Sequence, residues 1–267
     1  MSKKQIDQQP LVTLLSDFGD RDVYVGIMKG VIAQINSRLR VVDLTHQIPP
    51  QDIAAARFSL MNAYPYFPKG TVHIAVVDPG VGSKRRAIAV EFAQGFLVGP
   101  DNGIFSGVLS QSPALAAVEL TNLNYWRTPQ PSKTFHGRDI FAPVGANLAS
   151  GVPLKQLGKE IDPASLVKLD IDKCKQTTNG VAGYIQYIDH FGNLVSNIPE
   201  SYVQGKTWCV QAAGLNIPGC ETYSDVKVGE IIALVGSHGW VEIAINRGNA
   251  HSQLQINLQD ALQVLFL

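Results

Sequence analysis

The rhythm of apolar positions changes part-way along the chain. In the first half, short apolar runs alternate with stretches of helical period. Leu11–Ser16 is a strand-like run that stops at an Asp/Gly loop. Val23, Ile27, Val31 and Ile35 then recur every fourth residue, with Met28 and Ile32 beside them, which makes one face of an amphipathic helix. Arg40–Leu44 predicts a second strand, Pro49-Pro50 opens a loop, and Asp52 is placed to cap a helix running to about Ala63. Thr71–Val77, Ala87–Phe92 and Phe96–Val98 predict further strands, with helices at Ile104–Leu109 and Ile140–Ser150. This alternation predicts an α/β N-terminal domain with a mainly parallel sheet and helical cover.

After Leu157 the pattern loosens. Residues 158–179 are polar and weakly patterned, as a connection would be. From Val181 onward the chain reads as short strands punctuated by Gly, Pro and Asn: Val181–Ile188, Leu194–Asn197, Thr207–Val210, Ile231–Val235, Val241–Ile245 and Leu254–Ile256. A smaller all-β, barrel-like C-terminal domain is expected. The predicted organisation is a polar tail at 1–10, an α/β domain at 11–157, a connection at 158–179 and a β domain at 180–267.

Composition narrows the classes of function. At 45% hydrophobic residues in a chain of 267, the protein has ample material for a core, and disorder over most of its length is excluded. Lys+Arg and Asp+Glu both number 22, so the basic excess of a nucleic-acid-binding protein is missing. No apolar run reaches the roughly 18 residues of a membrane span, so no membrane partner is expected. The start, MSKKQIDQQP, lacks the apolar centre of a signal peptide, and a cytoplasmic location is expected. Cys174, Cys209 and Cys220 are odd in number and fit no zinc spacing; they are read as thiols.

In an open α/β sheet, ligands sit beyond the carboxyl ends of the strands. Three loops there concentrate polar residues. Ser16-Asp17-Phe18-Gly19-Asp20 has no phosphate-loop pattern; its carboxylates suit a ribose diol, or cap the following helix. Asp78-Pro79-Gly80-Val81-Gly82-Ser83-Lys84-Arg85-Arg86 places an acid at a strand tip and an arginine a loop away, or is a turn whose Asp bonds its own backbone. Phe135-His136-Gly137-Arg138-Asp139 brings a histidine to a helix entrance. Metal-ligand spacings are missing, and a metal site is not expected from these residues. In the β half, Asp189-His190-Phe191-Gly192-Asn193 and Ser237-His238-Gly239-Trp240, followed by Glu242 and Asn246, read on their own as hairpin turns.

Taken together and in order, LLSDFGDRDVYVGIMKG, VVDPGVGSKRR, FHGRDIFAP, IDHFGNLVSNIP and GSHGWVEIAINRGNA make the chain resemble the S-adenosyl-L-methionine (SAM) hydrolases, or SAM hydroxide adenosyltransferases, relatives of the fluorinases and chlorinases. The resemblance implies an α/β domain followed by a barrel-like one. It implies a homotrimer whose SAM sites lie between the N-terminal domain of one subunit and the C-terminal domain of its neighbour. It puts an Asp–Arg–His catalytic set on Asp78, Arg85 and His136. By the same likeness Asp17 grips the ribose hydroxyls, Asn193 and Phe191 serve the adenine, Asp189 and Ser237 meet the methionine end, and Glu242 and Asn246 lie close by. The halogenases carry a non-acidic residue in place of Asp78, a small hydroxyl residue at Gly137, a Trp at Gln51 and an Arg at His238.

The implied reaction is water plus SAM giving adenosine and L-methionine, by in-line attack at the ribose 5′ carbon. Its leaving group is a neutral thioether, so no general acid is needed. Arg85 can stabilise hydroxide character, while Asp78 and His136 orient the water and one of them takes its proton. Two alternatives share these loops: a SAM- or adenosine-binding module without turnover, and a SAM-dependent halogenase.

Overall fold

The computed structural model describes residues 9–267, so 1–8 of the expected polar tail lie outside the described residues. The chain divides into two compact units, the first ending at Asp170 and the second running from Ile171 to Leu267.

The first unit is built on a seven-stranded sheet: β1 (Leu11–Ser16), β2 (Arg40–Thr45), β3 (Thr71–Val76), β4 (Ala87–Glu91), β5 (Gly95–Pro100), β6 (Ala116–Glu119) and β7 (Lys159–Ile161), in spatial order β2-β1-β3-β5-β4-β6-β7. The sheet is mixed. β2, β1, β3 and β5 run parallel. β5, β4, β6 and β7 pair antiparallel, with the chain crossing β4 between β5 and β6. The parallel half is where the strand–helix alternation was legible. Strand periodicity explains the two-sided cover. Val12, Leu14, Val72 and Ile74 face one core, shared with α1 (Tyr24–Ile35) and α4 (Ala142–Ala149). His73, on the other side of β3, packs at a tilt against Tyr64, which follows α2 (Ile53–Ala63), and α2 packs against α3 (Ser106–Gln111). Asp52 caps α2, accepting from the Ala55 N–H at 2.9 Å.

In the β1–β3 pairing Ser16 lies opposite Val76, so the chain leaves both strands at the same carboxyl end of the sheet. β1 connects to β2 through α1, and β2 to β3 through α2 on the opposite face. The crevice beyond β1 and β3 is therefore a topological switch point.

The second unit contains β8 (Lys175–Thr177), β9 (Gly180–Ile188), β10 (Leu194–Pro199), β11 (Trp208–Ala212), β12 (Leu215–Pro218), β13 (Ile231–Val235), β14 (Trp240–Ile245) and β15 (Ala261–Phe266). Antiparallel pairing gives the order β12-β11-β15-β9-β10-β14-β13, with β8 added to β9. A bridge between Gly219 and Ala233, with the Cys220 N–H donating to the Ala233 carbonyl at 2.9 Å, brings the two ends of that sheet together into a nearly closed barrel. Val181, Ile185, Val210, Ile243 and Val264 fill it.

Several expectations need correction. Leu254–Ile256 is not a strand. Asn249 accepts from the Ser252 N–H at 2.7 Å and caps a short helix, α5 (Ala250–Leu254), while the final strand is β15. Neither β6 nor β12 was anticipated, because four residues carry too little periodicity to register. Residues 158–179 contribute β7 to the first sheet and β8 to the second.

Candidate active site

The loop leaving β1 is stitched to the loop between β2 and α2. Asp17 accepts the Gln51 N–H at 2.8 Å, with Gln51 held at φ 67°, and Asp20 receives the Gln47 side-chain amide. Phe18 stands edge-on to Phe135 at 5.8 Å between ring centres, and Tyr24 meets Phe135 at 5.2 Å. A cavity of about 400 Å³ opens between these loops, lined by Asp17, Phe18, Tyr24, Gln51, Asp78, His136 and Gly137 among others. At Gly137 a Cβ would come within 3.1 Å of Met28 Sδ and 3.3 Å of the Phe135 ring, so a side chain there would press on the aromatic wall.

Asp78 follows β3 directly, and Arg85 returns to it across the glycine-containing turn. Arg85 Nε donates to Asp78 Oδ1 at 2.9 Å and Oδ2 at 3.1 Å, and Nη2 donates to Oδ2. The same Nη2 reaches His136 Nδ1 at 2.7 Å. Arg85 is not among the cavity-lining residues; it backs Asp78 and His136, which are, and its guanidinium lies 5.3 Å from the centre of the buried Phe141 ring. A guanidinium donates and does not accept. His136 Nδ1 is therefore the acceptor, and the neutral ring carries its proton on Nε2. Burial, and after it the Arg85 charge, hold the His136 pKa below its ordinary value, against the opposite pull of Asp78 and Asp139.

The loop bearing His136 is anchored by Asp139, which is fully buried. Its carboxylate accepts from Arg138 Nε at 2.7 Å, Arg127 Nε at 2.5 Å and the Ser132 N–H at 2.8 Å. Burial works to raise the Asp139 pKa, but these donors outweigh it and hold the carboxyl well below the usual range. A π-helical turn, Gly137–Phe141, carries the chain from His136 into α4.

In the second unit Asp189, Asn193 and Glu242 join one hydrogen-bonded chain whose hub, Tyr223, had no signal in the sequence beyond an aromatic in a polar loop. Asn193 Nδ2 donates to Asp189 Oδ2 at 3.1 Å and lies 3.3 Å from the Tyr223 hydroxyl. That hydroxyl donates to Glu242 Oε1 at 2.6 Å, and His238 Nε2 is 3.0 Å from Oε2. Burial, then Glu242, push the Tyr223 pKa up, so the phenol stays a donor. Phe191 is largely exposed at the tip of its turn, its ring edge-on to His190. Ser237 sits in the turn between β13 and β14. Asn246 uses its amide to brace the Val226 carbonyl at 2.8 Å. The structure thus gathers Asp17, Asp78, Arg85 and His136 in one unit and Asp189, Asn193 and Glu242 in the other. Among the described residues no group of three or more His, Cys, Asp or Glu side chains is arranged to hold a metal ion.

Profiles of the N- and C-terminal domains of the SAM hydroxide adenosyltransferases match residues 12–158 and 183–263. The chain belongs to the SAM hydroxide adenosyltransferase family. Within it, the chain is 39% identical over 259 residues to an (R)-S-adenosyl-L-methionine hydrolase of Salinispora tropica, covering 96% of this chain and 97% of that protein. It is 38% identical to the hydrolase of the same name from Thermus thermophilus, with 96% and 99% covered. Fluorinases match at 24–26% identity. A crystal structure of an uncharacterized conserved protein from Thermotoga maritima superposes with a TM-score of 0.90 at 32% identity, covering 95% of this chain and 99% of that one.

Proposed function

We propose that the protein hydrolyses SAM to adenosine and L-methionine, without a metal or other cofactor. The observation that carries this reading is the arginine-bonded Asp78–His136 pair facing a cavity that Asp17 also lines. The similarity to proteins named as SAM hydrolases, closer than that to fluorinases, supports it.

The chemistry follows from the bonds each group already makes. A water held between Asp78 and His136 attacks the ribose 5′ carbon; the carbon–sulfur bond breaks, its electron pair stays on sulfur, and methionine leaves as a neutral thioether. The water's proton has to go to a base. His136 Nδ1 is occupied by Arg85, so its ring presents Nε2–H and orients the water as a donor. Asp78 is then the base. Arg85 offsets the carboxylate charge from behind the cavity wall and keeps the water site from becoming strongly anionic. General-base help of this kind amounts to roughly 10²–10⁴-fold, and alignment of the attacking oxygen adds to it. A sulfonium cation and a hydroxide-like nucleophile lose charge as they react, which the aromatic wall of Phe18, Tyr24 and Phe135 favours over bulk water.

Asp17, with two carboxylate oxygens, takes the ribose diol. Asp189, Phe191, Asn193, Ser237, Glu242 and Asn246 complete the substrate site for adenine and the methionine end, contributed by the C-terminal domain of a neighbouring subunit in a homotrimer. A cytoplasmic location accords with a substrate whose fixed sulfonium charge opposes passage through a bilayer, and with three free cysteines.

The test is incubation of purified protein with SAM, following adenosine and methionine by chromatography. Stoichiometric appearance of both is expected, without dependence on halide. Intact SAM after prolonged incubation with ample protein overturns the hydrolase reading; SAM binding without product identifies a binding module, and a 5′-halo-adenosine product identifies a halogenase.

A further inference from the structure

Behind the Asp17 loop lies a second polar chain that the chemistry above does not use. His46, buried in the turn after β2, contacts Ser16 Oγ through Nδ1 at 2.7 Å. Its Nε2 lies 3.1 Å from Asp43 Oδ1, an ion-pair distance without hydrogen-bond alignment, and Asp43 is itself held by Lys29 Nζ at 2.5 Å. Lys29 and His46 hold the Asp43 pKa below its ordinary value against the effect of burial. The arrangement looks like a nucleophile–histidine–acid series, but Ser16 is only 1% exposed, so no substrate reaches its hydroxyl.

What the series does reach is the backbone on both sides of Asp17. An anionic Asp43 favours the His46 tautomer with its proton on Nε2, leaving Nδ1 to accept the Ser16 hydroxyl. With its proton directed to His46, Ser16 Oγ presents a lone pair to the Phe18 N–H at 3.3 Å. The His46 carbonyl meanwhile accepts the Gly19 N–H at 2.8 Å, with Gly19 at φ 66°. One histidine thus holds the chain before and after Asp17, with its ring on one side and its carbonyl on the other.

We propose that Asp43, His46 and Ser16 are positioning residues that set the direction of the Asp17 carboxylate, and so the affinity of the site for a nucleoside ribose. This rests on the function proposed above. A ribose grip acts on ground and transition states alike, so its loss raises KM and spares kcat.

The experiment compares His46→Ala, His46→Asn, Ser16→Ala and Asp43→Asn by steady-state SAM cleavage, adenosine calorimetry and thermal denaturation. His46→Ala is expected to raise KM for SAM and the Kd for adenosine about tenfold with kcat within about threefold. Ser16→Ala should follow in the same direction, and Asp43→Asn more weakly. His46→Asn places an amide oxygen where Nδ1 stood and should recover most of the affinity. Unchanged KM and Kd in His46→Ala overturn the proposal. So does a fall in kcat and melting temperature at constant KM, with no rescue by Asn, since that is the signature of a purely structural residue. A wild-type protein that binds adenosine but leaves SAM intact refutes the proposed function alone, and the ratio of adenosine affinities still decides the relay. A wild-type protein that binds no adenosine overturns both.

Discussion

Asp78 in the first unit and Glu242 in the second are both almost fully buried carboxylates, 5% and 3% exposed at the side chain, and each has a histidine within one bond or one shared partner. Their settings differ in supporting element and in bonding partners. Asp78 lies on a loop just past a strand tip, is gripped by a guanidinium and lines a cavity. Glu242 lies in mid-strand, paired in the ladder with Val195 and Leu234, and takes its bonds from the Tyr223 hydroxyl and His238. A carboxylate with a fixed counter-charge behind it has oxygen lone pairs left for a reacting water. A carboxylate built into a barrel wall has its oxygens engaged by a phenol and an imidazole of its own unit. Burial alone does not separate the two; the presence of Arg85 and the supporting element do.

The strongest way to break this contrast is to remove the counter-charge. Arg85→Ala leaves Asp78 without its donors and frees His136 Nδ1, and kcat should fall roughly 10²–10⁴-fold. Circular dichroism should show the fold retained. A loss below tenfold, measured by single-turnover SAM cleavage, would show that the guanidinium is dispensable. In the wild type, burial and the Arg85 charge hold the His136 pKa below its ordinary value. The acid limb of kcat/KM should therefore lie below the ordinary histidine range, and a limb near 7 would contradict the tautomer argument.

His73 separates the stability of the first unit from its chemistry. Its pKa is pushed down to about 4 by burial beneath the sheet, where Thr13 shares its Nδ1. Above pH 6.5 neither folded nor unfolded chain carries a proton there. As pH falls from 6.5 toward 4 the unfolded chain takes one up and the folded chain does not, so about 3 kcal/mol of stability should disappear over that window. Denaturant titrations at several pH values measure it, and His73→Gln should flatten the slope. Tyr223→Phe tests the other region. It strips Glu242 of a buried donor, and a stability loss of about 1–3 kcal/mol is expected, with kcat changed less than tenfold. A kcat loss as large as that of Arg85→Ala would erase the distinction between the two carboxylates. The smallest effect is expected from Gly137→Ala, whose Cβ meets the flexible end of Met28 first. Overpacking here should cost about 1 kcal/mol and raise KM modestly, read from the melting temperature and steady-state kinetics.

Legibility along the sequence followed length and local chemistry. α1 and α2 were readable because a full helical face, and a capping Asp52, lie within one window. β6 and β12 were not, because four residues look alike in a strand or a loop. α5 was misread because its cap, Asn249, sits in a Gly/Asn-rich stretch that also spells a turn. Among candidate site residues, those on loops past strand tips stood out as polar clusters, while Tyr223 and His46 were silent. Their parts depend on partners 19 and 30 residues away.

The α/β-then-β order of the chain, the family and the residue types available at each loop are written in short-range pattern and motif, and were legible there. That Arg85 bonds Asp78 and His136 at once emerges only when two distant loops meet in the fold. The fold also set the His136 tautomer, engaged Asn246 with backbone, and brought His46 against Ser16 and the Gly19 N–H on either side of Asp17. The reason is physical: a hydrogen bond between distant residues depends on distances of a few tenths of an ångström and on what else is buried there, and neither quantity is a property of any local stretch of chain.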